Sequence, residues 1–395
     1  MSTAVLTSRL EVDSLAETAL KTAARFWFVV TVAGQLAFAF AVASFYGLTA
    51  IRGDYHGWQI TRGFVPGVTK DNWAVVMHLA SAAVIMLAGS IQLVPQVRNR
   101  FPAFHRWNGR VYMLTAVMGS VAGVYMMWVR GSVGDLPQHL GSTLNALLIW
   151  LFAGVALRYA LARNFKTHRR WALRLFMATS GVWFFRIGFF LWLAIFRRPV
   201  GFDPNTFTGP FPTIMSFATY LFPLAILELY FQAQDRPSAI RRFATALLLV
   251  VLTLVMIAGL LAVTTVKWVP QVKDAFDSRK SIAETLFATM SSSGVDAAVK
   301  QYHELKASDP NSYNFGQGQL NSLGYRLVRM KKYADAIRIF QLNVEAFPQS
   351  SNAYDSLAEG YMDAGDRGQA IVNYEKAIQL NPKNAGSIAA LKKLK

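Results

Sequence analysis

Four of the six histidines in this chain lie near the ends of long apolar segments. They are His78, His105, His139 and His168. A haem iron takes two axial nitrogen ligands, and neutral imidazole supplies them without adding charge. If successive segments cross a membrane in alternating directions, His78 and His139 share the outer face, and His105 and His168 share the inner face. This arrangement predicts two b-type haem sites for transmembrane electron transfer. The alternative is that all four are interfacial side chains at helix ends.

Three ionisable side chains lie within apolar segments, where burying a charge is costly. Arg174 and Glu228 fall at similar depths, so they are expected to pair. Arg186 lies 12 residues beyond Arg174, about 18 Å along a helix, which is too far for it to share Glu228. Arg186 is a candidate for binding a haem propionate, a lipid phosphate or a substrate anion. The alternative is a structural hydrogen bond to backbone carbonyls.

Three carboxylates in the C-terminal region, Asp355, Glu359 and Asp363, recur every four residues. This spacing places them on one face of a helix, where like charges repel each other and cost stability. A cluster with that cost is a hint of function, and it would bind Lys or Arg side chains of a protein partner. The alternative is an acidic helix face that water solvates.

The residue types exclude several other kinds of chemistry. The chain has no cysteine, which excludes disulfides, zinc–thiolate sites, iron–sulfur clusters and thiol nucleophiles. It has no glycine-rich Walker loop, no His-Glu-x-x-His motif and no nucleophile elbow. The sequence therefore assigns no catalytic residue and no metal ligand, and a non-enzymatic role is the favoured interpretation.

The composition indicates that membrane helices hold most of these residues. Of 395 residues, 53% are hydrophobic and only 16% are charged, whereas soluble domains are about one-quarter charged. A helix needs about 20 apolar residues to span a bilayer. Seven segments reach this length, namely residues 26–51, 73–97, 111–129, 140–161, 171–196, 211–233 and 243–266.

The distribution of positive charge predicts how the chain crosses the membrane. Residues 1–270 carry 24 Lys and Arg against 9 Asp and Glu, and residues 271–395 carry 16 against 13. At the span ends, 16 Lys and Arg fall on the face of the N-terminus and 8 on the other. Cytoplasmic loops are enriched in Lys and Arg, so we expect a cytoplasmic N-terminus and, after seven spans, an extracytoplasmic C-terminal region. Nucleic acid is not an expected partner, because a basic surface among such apolar segments would not face water.

The region after the last span has the composition of a soluble helical domain. Residues 271–292 predict one amphipathic connector helix. Further on, four positions recur at one constant offset, with Gly324, Ala336, Phe340 and Pro348 matching Ala358, Ala370, Tyr374 and Pro382. A period of about 34 residues, with small residues, an aromatic and a Pro at these offsets, resembles the tetratricopeptide repeat, whose helix pairs stack into a docking surface. The resemblance covers about 100 residues. It implies that Asp355, Glu359 and Asp363 line a groove that binds extended peptides.

Two basic segments of the membrane region resemble the signature of a known family. They read His105-Arg106-Trp107-Asn108-Gly109-Arg110-Val111-Tyr112 and His168-Arg169-Arg170-Trp171-Ala172-Leu173-Arg174. They are similar to motifs in a family of predicted bacterial membrane proteins with no assigned function. The resemblance covers roughly residues 73–186. It implies a multi-pass protein of the bacterial inner membrane and implies no chemistry.

Together these patterns predict an all-α protein, with a seven-helix transmembrane bundle followed by a soluble tetratricopeptide α-solenoid. We expect a cytoplasmic segment at 1–25, a polytopic domain at 26–268, a connector helix at 269–294, and repeats with a capping helix at 295–395. The favoured function is a non-enzymatic adaptor that is anchored in the bilayer and recruits a protein or peptide partner. The alternatives are electron transfer through b-type haem and transport of a small anion or lipid.

Overall fold

The computed structural model describes residues 3–53, 69–131, 134–203, 206–235 and 238–395. Nearly all of this backbone is helical, which confirms the predicted all-α class. The chain divides into two units. The first, here called the bundle, comprises Met1–Ser44 and Val68–Val272, and the second, here called the array, comprises Phe45–Gly67 and Lys273–Lys395.

Long apolar helices dominate the chain up to residue 276. They are α1 (Thr3–Val42), α2 (Thr49–Ile51), α3 (Thr69–Gln92), α4 (Pro95–Arg100), α5 (Pro102–Tyr125), α6 (Leu136–Leu161), α7 (Phe165–Thr179), α8 (Gly181–Phe196), α9 (Pro210–Asp235), α10 (Ala239–Val263) and α11 (Val269–Phe276). Within the described ranges, six helical segments, built around α1, α3, α5, α6, α9 and α10, are long and apolar enough to cross a membrane. The pair α7 and α8 makes a seventh if it crosses as one span. The chain is therefore a multi-pass membrane protein.

The fifth predicted span, residues 171–196, is not one straight helix. α7 and α8 are bent by 45° at the break between them, at Ser180. The hydroxyls of Thr179 and Ser180 donate to the carbonyl oxygens four residues earlier, at 2.9 and 2.7 Å. The side-chain amide of Asn145 in α6 donates to the Ala178 carbonyl (3.2 Å). Because side chains bind the carbonyls at the break, the helix bends without leaving these acceptors unpaired.

A buried amide on α1 joins three segments of the bundle at this bend. Gln35 has no solvent exposure. Its Nε2 donates to Ser180 Oγ (2.9 Å), and its Oε1 accepts from Ser90 Oγ of α3 (3.0 Å). Beside it, Tyr112 Oη of α5 lies 2.7 Å from Thr179 Oγ1. An unpaired polar group is costly in hydrocarbon, so these bonds select the arrangement of α1, α3 and α5 around the bend.

Glycines set how closely α10 and α1 approach α8. A Cβ added at Gly259 of α10 would lie 2.4 Å from Ile187 Cγ2 and 2.9 Å from the Ile187 carbonyl oxygen. A Cβ added at Gly34 of α1 would lie 2.7 Å from the ring of Trp183. Real Cβ atoms do not approach other atoms this closely, so the helices pack at this spacing only with glycine at both positions.

The array consists of helices that pack in consecutive pairs. They are α12 (Ile282–Ser293), α13 (Val295–Ser308), α14 (Gln317–Arg329), α15 (Tyr333–Ala346), α16 (Ser351–Asp363), α17 (Arg367–Leu380) and α18 (Ala385–Leu394). α12 packs on α13, α14 on α15, and α16 on α17, and α14 also contacts α12 and α16. α18 packs on α17 after the third pair. Two short strands, β1 (Lys280–Ser281) and β2 (Tyr313–Asn314), pair in parallel beside the first pair.

The prediction of one connector helix over residues 271–292 is wrong. α11 ends at Phe276, and β1 separates it from α12. Asp277 stabilises the break, because its carboxylate accepts from the Arg279 guanidinium (2.7 Å). α12 buries Leu286 completely in the array core, so it is the first helix of the array. The segment is amphipathic as predicted, but its buried face packs within the array.

The positions of the repeat period lie in the array core. Ala336, Phe340, Ala358 and Ala370 are completely buried, and Tyr374 is 4% exposed. Glycines make room for Phe340, because a Cβ at Gly324 would lie 2.3 Å from its ring and one at Gly360 would lie 2.8 Å from it. The repeated positions therefore combine small residues with aromatic side chains, which fill the space beside the small residues.

The glycine contacts predict a difference between two alanine substitutions. Gly259→Ala should destabilise the bundle by about 1–3 kcal/mol, because the methyl group overpacks the contact with Ile187. Gly154→Ala is the matched control, since a Cβ at this glycine of α6 meets no atom within 4 Å. The measurement is thermal unfolding of the detergent-purified protein, followed by tryptophan fluorescence. Equal midpoints for the two variants would contradict the packing argument.

Candidate functional site

In each of the two histidines predicted for the inner face, one ring nitrogen forms a hydrogen bond. His168 Nδ1 lies 2.8 Å from the Ala156 carbonyl oxygen, so this nitrogen carries the proton. His105 Nε2 lies 3.2 Å from Gln92 Nε2. Because Gln92 Oε1 accepts from the Asn108 amide (2.9 Å), its nitrogen is the donor to His105. His105 Nδ1 is then the protonated nitrogen, and it is buried with no hydrogen-bond partner in the described part of the chain.

The two histidines predicted for the outer face contact different neighbours. His78 Nδ1 on α3 lies 3.1 Å from the Gly119 carbonyl oxygen of α5. His139 on α6 packs edge-on against Trp128, with 5.7 Å between the ring centroids.

One hydrogen bond opposes haem ligation by the inner pair, the bond at His105. An axial imidazole directs one unprotonated nitrogen at the iron while its other nitrogen donates to an acceptor. His168 and His78 have such acceptors, but the unprotonated nitrogen of His105 is bound to Gln92. Haem ligation by His105 and His168 would require Gln92 to move. The hydrogen bond from Gln92 to His105 therefore argues against haem at the inner pair.

The basic segment at residues 105–112 packs α5 against α3. Asn108 Nδ2 donates to the Ala88 carbonyl (2.9 Å) as well as to Gln92. Gly109 lies against the same glutamine, because a Cβ there would be 2.8 Å from Gln92 Nε2. The motif that resembles a family signature thus contributes polar contacts between helices.

Arg174 of α7 and Glu228 of α9 form the ion pair that their depths predicted. Arg174 Nε and Nη2 donate to the two carboxylate oxygens at 2.6 and 2.9 Å. The guanidinium also lies 4.6 Å from the centroid of the Trp171 ring. A bidentate pair of this kind is strong and directional. Both charges are thereby compensated, and the pair joins α7 to α9.

Arg186 of α8 makes the structural contacts that were the alternative to ligand binding. Its Nη1 donates to the Val182 carbonyl of the same helix (2.9 Å). Its guanidinium carbon lies 4.9 Å from the centroid of the Phe38 ring of α1, within the range of a cation–π interaction. These contacts hold α8 against α1.

The three carboxylates of the array, here called the acidic face, lie on α16 between side chains of α14 and α18. Glu359 Oε2 accepts a hydrogen bond from the Tyr325 hydroxyl of α14 (2.5 Å). Asp355 accepts one from the Ser387 hydroxyl of α18. Asp355 and Glu359 are half-buried, and Asp363 is exposed. The predicted shared face is therefore present, and neighbouring helices enclose part of it.

Burial makes the carboxylates of the acidic face hard to ionise. It raises the pKa of Glu359 to about 7, against the hydrogen bond from Tyr325, and the charges of Asp355 and Asp363 add to the rise. Burial also raises the pKa of Asp355 and of Asp363. Among the residues that the structure describes, no cationic side chain lowers the pKa of any of the three. The acidic face thus has negative charge without a counter-charge.

Two further residues lie beside the acidic face, at positions one repeat length before its carboxylates. Tyr325 precedes Glu359 by one full period of the repeat, and Asn321 precedes Asp355 by the same offset. Both are on α14, at the positions that correspond to the carboxylates of α16. Asn321 Oδ1 is buried and accepts no hydrogen bond from the described residues. Both residues could have been found in the sequence, by counting back one repeat length from Asp355 and Glu359.

The membrane region is similar to a known family. Residues 75–231 match the family model described as "Predicted membrane protein (DUF2306)". The match runs from α3 into α9 and includes Arg174, Arg186, Glu228 and all four histidines. It overlaps the predicted resemblance over residues 73–186 and leaves the array outside. No curated protein matches the chain. The family description names a membrane protein and no activity, so the function has to be argued from the sites.

The histidine geometry predicts that the purified protein binds no haem. After expression with ample haem, we expect no Soret absorbance and no reduced-minus-oxidised difference band. The reason is that Gln92 is hydrogen-bonded to the nitrogen of His105 that would ligate iron. The measurement is an absorption spectrum. A band that His105→Ala and His168→Ala each abolish, and that His139→Ala preserves, would instead show that the inner pair ligates haem.

Proposed function

We propose that this chain is a membrane-anchored, non-enzymatic adaptor whose array binds a basic, extended segment of a protein partner. The observation that carries the proposal is the acidic face, where three carboxyls with raised pKa values have no cationic partner in the described chain. A Lys or Arg side chain of a partner would supply the missing charge and favour the ionised carboxylates.

The architecture of the array supports this role. Its helix pairs stack in order, and the small and aromatic residues of its core recur at the repeat period, as expected for a tetratricopeptide array. In such an array the first helices of successive pairs line one surface, here α12, α14 and α16. The acidic face lies on α16, and Tyr325 and Asn321 lie on α14. We therefore assign the docking surface to this side.

The sidedness of the array depends on the bent pair α7 and α8. With a cytoplasmic N-terminus, seven spans place the array outside the cytoplasm, whereas six place it inside. We expect seven, so a C-terminal alkaline phosphatase fusion should be active, and a fluorescent protein that folds only in the cytoplasm should stay dark. The opposite pair of results would mean that α7 and α8 form a re-entrant loop. The adaptor would then recruit a cytoplasmic partner.

Neutralising the acidic face should weaken peptide binding. The test variant is Asp355→Asn, Glu359→Gln and Asp363→Asn in the full-length protein, in nanodiscs of zwitterionic lipid. The probe is a fluorescent peptide of alternating Gly and Lys, and binding is measured by anisotropy. We expect roughly a tenfold or greater loss of affinity, because a hydrogen bond to a charged group contributes about 1.5–3 kcal/mol.

The matched control removes three acidic charges from other helices of the array. It combines Glu304→Gln, Asp335→Asn and Glu345→Gln on α13 and α15. This variant should keep the affinity of the unmodified protein, since its carboxylates lie outside the acidic face. An equal loss of affinity in both variants would show that binding depends only on net charge. The acidic face would then be an ordinary solvated surface.

The raised pKa of Glu359 predicts that peptide binding depends on pH near neutrality. With a pKa of about 7, Glu359 is mainly protonated at pH 6 and mainly ionised at pH 8, while the lysines of the peptide stay charged at both. Affinity should therefore rise roughly tenfold from pH 6 to pH 8. Glu359→Gln should bind weakly at both values and lose most of this dependence. A pH profile that the variant leaves unchanged would assign the titration to another group.

A further inference from the structure

The bundle contains a large cavity whose wall is mainly apolar. Its volume is about 1120 Å³, slightly above the range of roughly 300–1,000 Å³ for small-molecule sites. α1, α7, α8, α9 and α10 contribute most of its wall. Apolar side chains dominate this wall, among them Phe184, Leu191, Met215, Phe222 and Leu252. None of the four candidate haem histidines lines it.

One end of this cavity, here called its basic end, has a different character. Lys21 and Arg25 of α1 and Arg169 of α7 line the cavity together with Tyr230 and Gln234 of α9. These parts of the helices meet in the fold, because Trp27, Leu93, Leu173 and Tyr230 pack around one buried cluster. The cavity therefore joins a basic end to an apolar interior.

The charges at the basic end are largely uncompensated. Lys21 pairs with Glu17 at 2.5 Å. Neither Arg25 nor Arg169 forms an ion pair with any carboxylate in the described ranges, and no Asp or Glu lines the cavity. By contrast, neighbouring arginines are paired, since Arg170 binds Asp235 at 2.5 Å and Arg174 binds Glu228. The basic end thus offers two guanidinium groups to an anion.

The apolar part is long enough for a fatty acyl chain. Along α9 the lining residues run from Met215 to Tyr230, which is about 22 Å at helical rise. One leaflet of a bilayer has a hydrocarbon depth of about 15 Å. Pro223 also lines this path. An acyl chain that follows α9 would remain in apolar surroundings while its headgroup lies at the basic end.

We propose that this cavity binds an anionic phospholipid, with its phosphate at Arg25 and Arg169 and an acyl chain along α9. The charge at the basic end discriminates between headgroups. A zwitterionic lipid would bring an ammonium group to a site that has three cations and no lining carboxylate, whereas a headgroup with net negative charge is attracted as a whole. The cavity is therefore selective for anionic lipid, whereas the apolar surface of the bundle contacts any lipid.

The experiment compares lipids that differ only in the headgroup. Delipidated full-length protein is incubated with dioleoyl phosphatidylglycerol or dioleoyl phosphatidylcholine, and retained lipid is counted by native mass spectrometry. We expect roughly tenfold stronger retention of phosphatidylglycerol, since the guanidinium groups of Arg25 and Arg169 favour a headgroup with net negative charge. Inorganic phosphate at equal ionic strength should compete no better than chloride, because it lacks the acyl chain. Competition by phosphate, or equal retention of both lipids, would overturn the proposal.

Two variants and a control locate the site. Arg25→Gln with Arg169→Gln should abolish the preference for phosphatidylglycerol, and the single variants replace this pair if the double variant does not fold. Ala218→Phe should fill the apolar part and lower retention of phosphatidylglycerol while all cations remain. Arg106→Gln with Arg158→Gln removes two exposed arginines that do not line the cavity, so it should keep the preference. A preference lost equally in this control would assign the effect to net charge and contradict a site in the cavity.

Discussion

An unpaired polar group is costly inside the bundle, where hydrocarbon supplies no hydrogen bond, and the polar contacts between its helices determine much of their arrangement. Gln35 binds Ser90 and Ser180, which join α1 and α3 to the break between α7 and α8. The hydroxyls at the break and Asn145 bind the carbonyls that the bend would otherwise expose. The bend thus occurs where side chains are available to compensate for it. Once α8 has turned there, its contacts with Gly34 and Gly259 set the positions of α1 and α10.

The same requirement explains why the charged residues of the membrane region divide into two groups. Arg174 has a carboxylate at hydrogen-bond distance, and Arg186 has a backbone carbonyl and an aromatic ring. Both side chains therefore have partners inside the protein. Arg25 and Arg169 are exposed and form no ion pair in the described chain, and they line the polar end of a cavity whose remaining wall is mainly apolar. Depth alone, which the sequence reveals, does not separate these groups, because the partners lie on other helices.

The sequence predicted the features that depend on local pattern. Apolar length identified the spans, similar depth paired Arg174 with Glu228, and a four-residue spacing placed three carboxylates on one face. The bend at Ser180 was missed because part of its support comes from Asn145 on α6, which no local pattern connects to α7. The histidines were interpreted from their positions at span ends, but Gln92 and the Gly119 carbonyl determine which ring nitrogens are available. The prediction of a connector helix was wrong for the same reason, because an amphipathic pattern does not show which core the segment packs against.

Charge without a counter-charge is a feature that both candidate sites share. Elsewhere in the array, buried charge is compensated, as where Arg326 binds Glu284 at 3.0 Å and lies over the ring of Phe287. At the acidic face the compensation is absent, and the cost appears as a raised pKa of Glu359. The basic end of the bundle cavity has the opposite sign, with guanidinium groups that lack carboxylates. A ligand gains most where the protein has left a charge unpaired. The two proposed ligands are therefore of opposite charge, a basic peptide for the array and an anionic lipid for the bundle, and each proposal can be tested without the other.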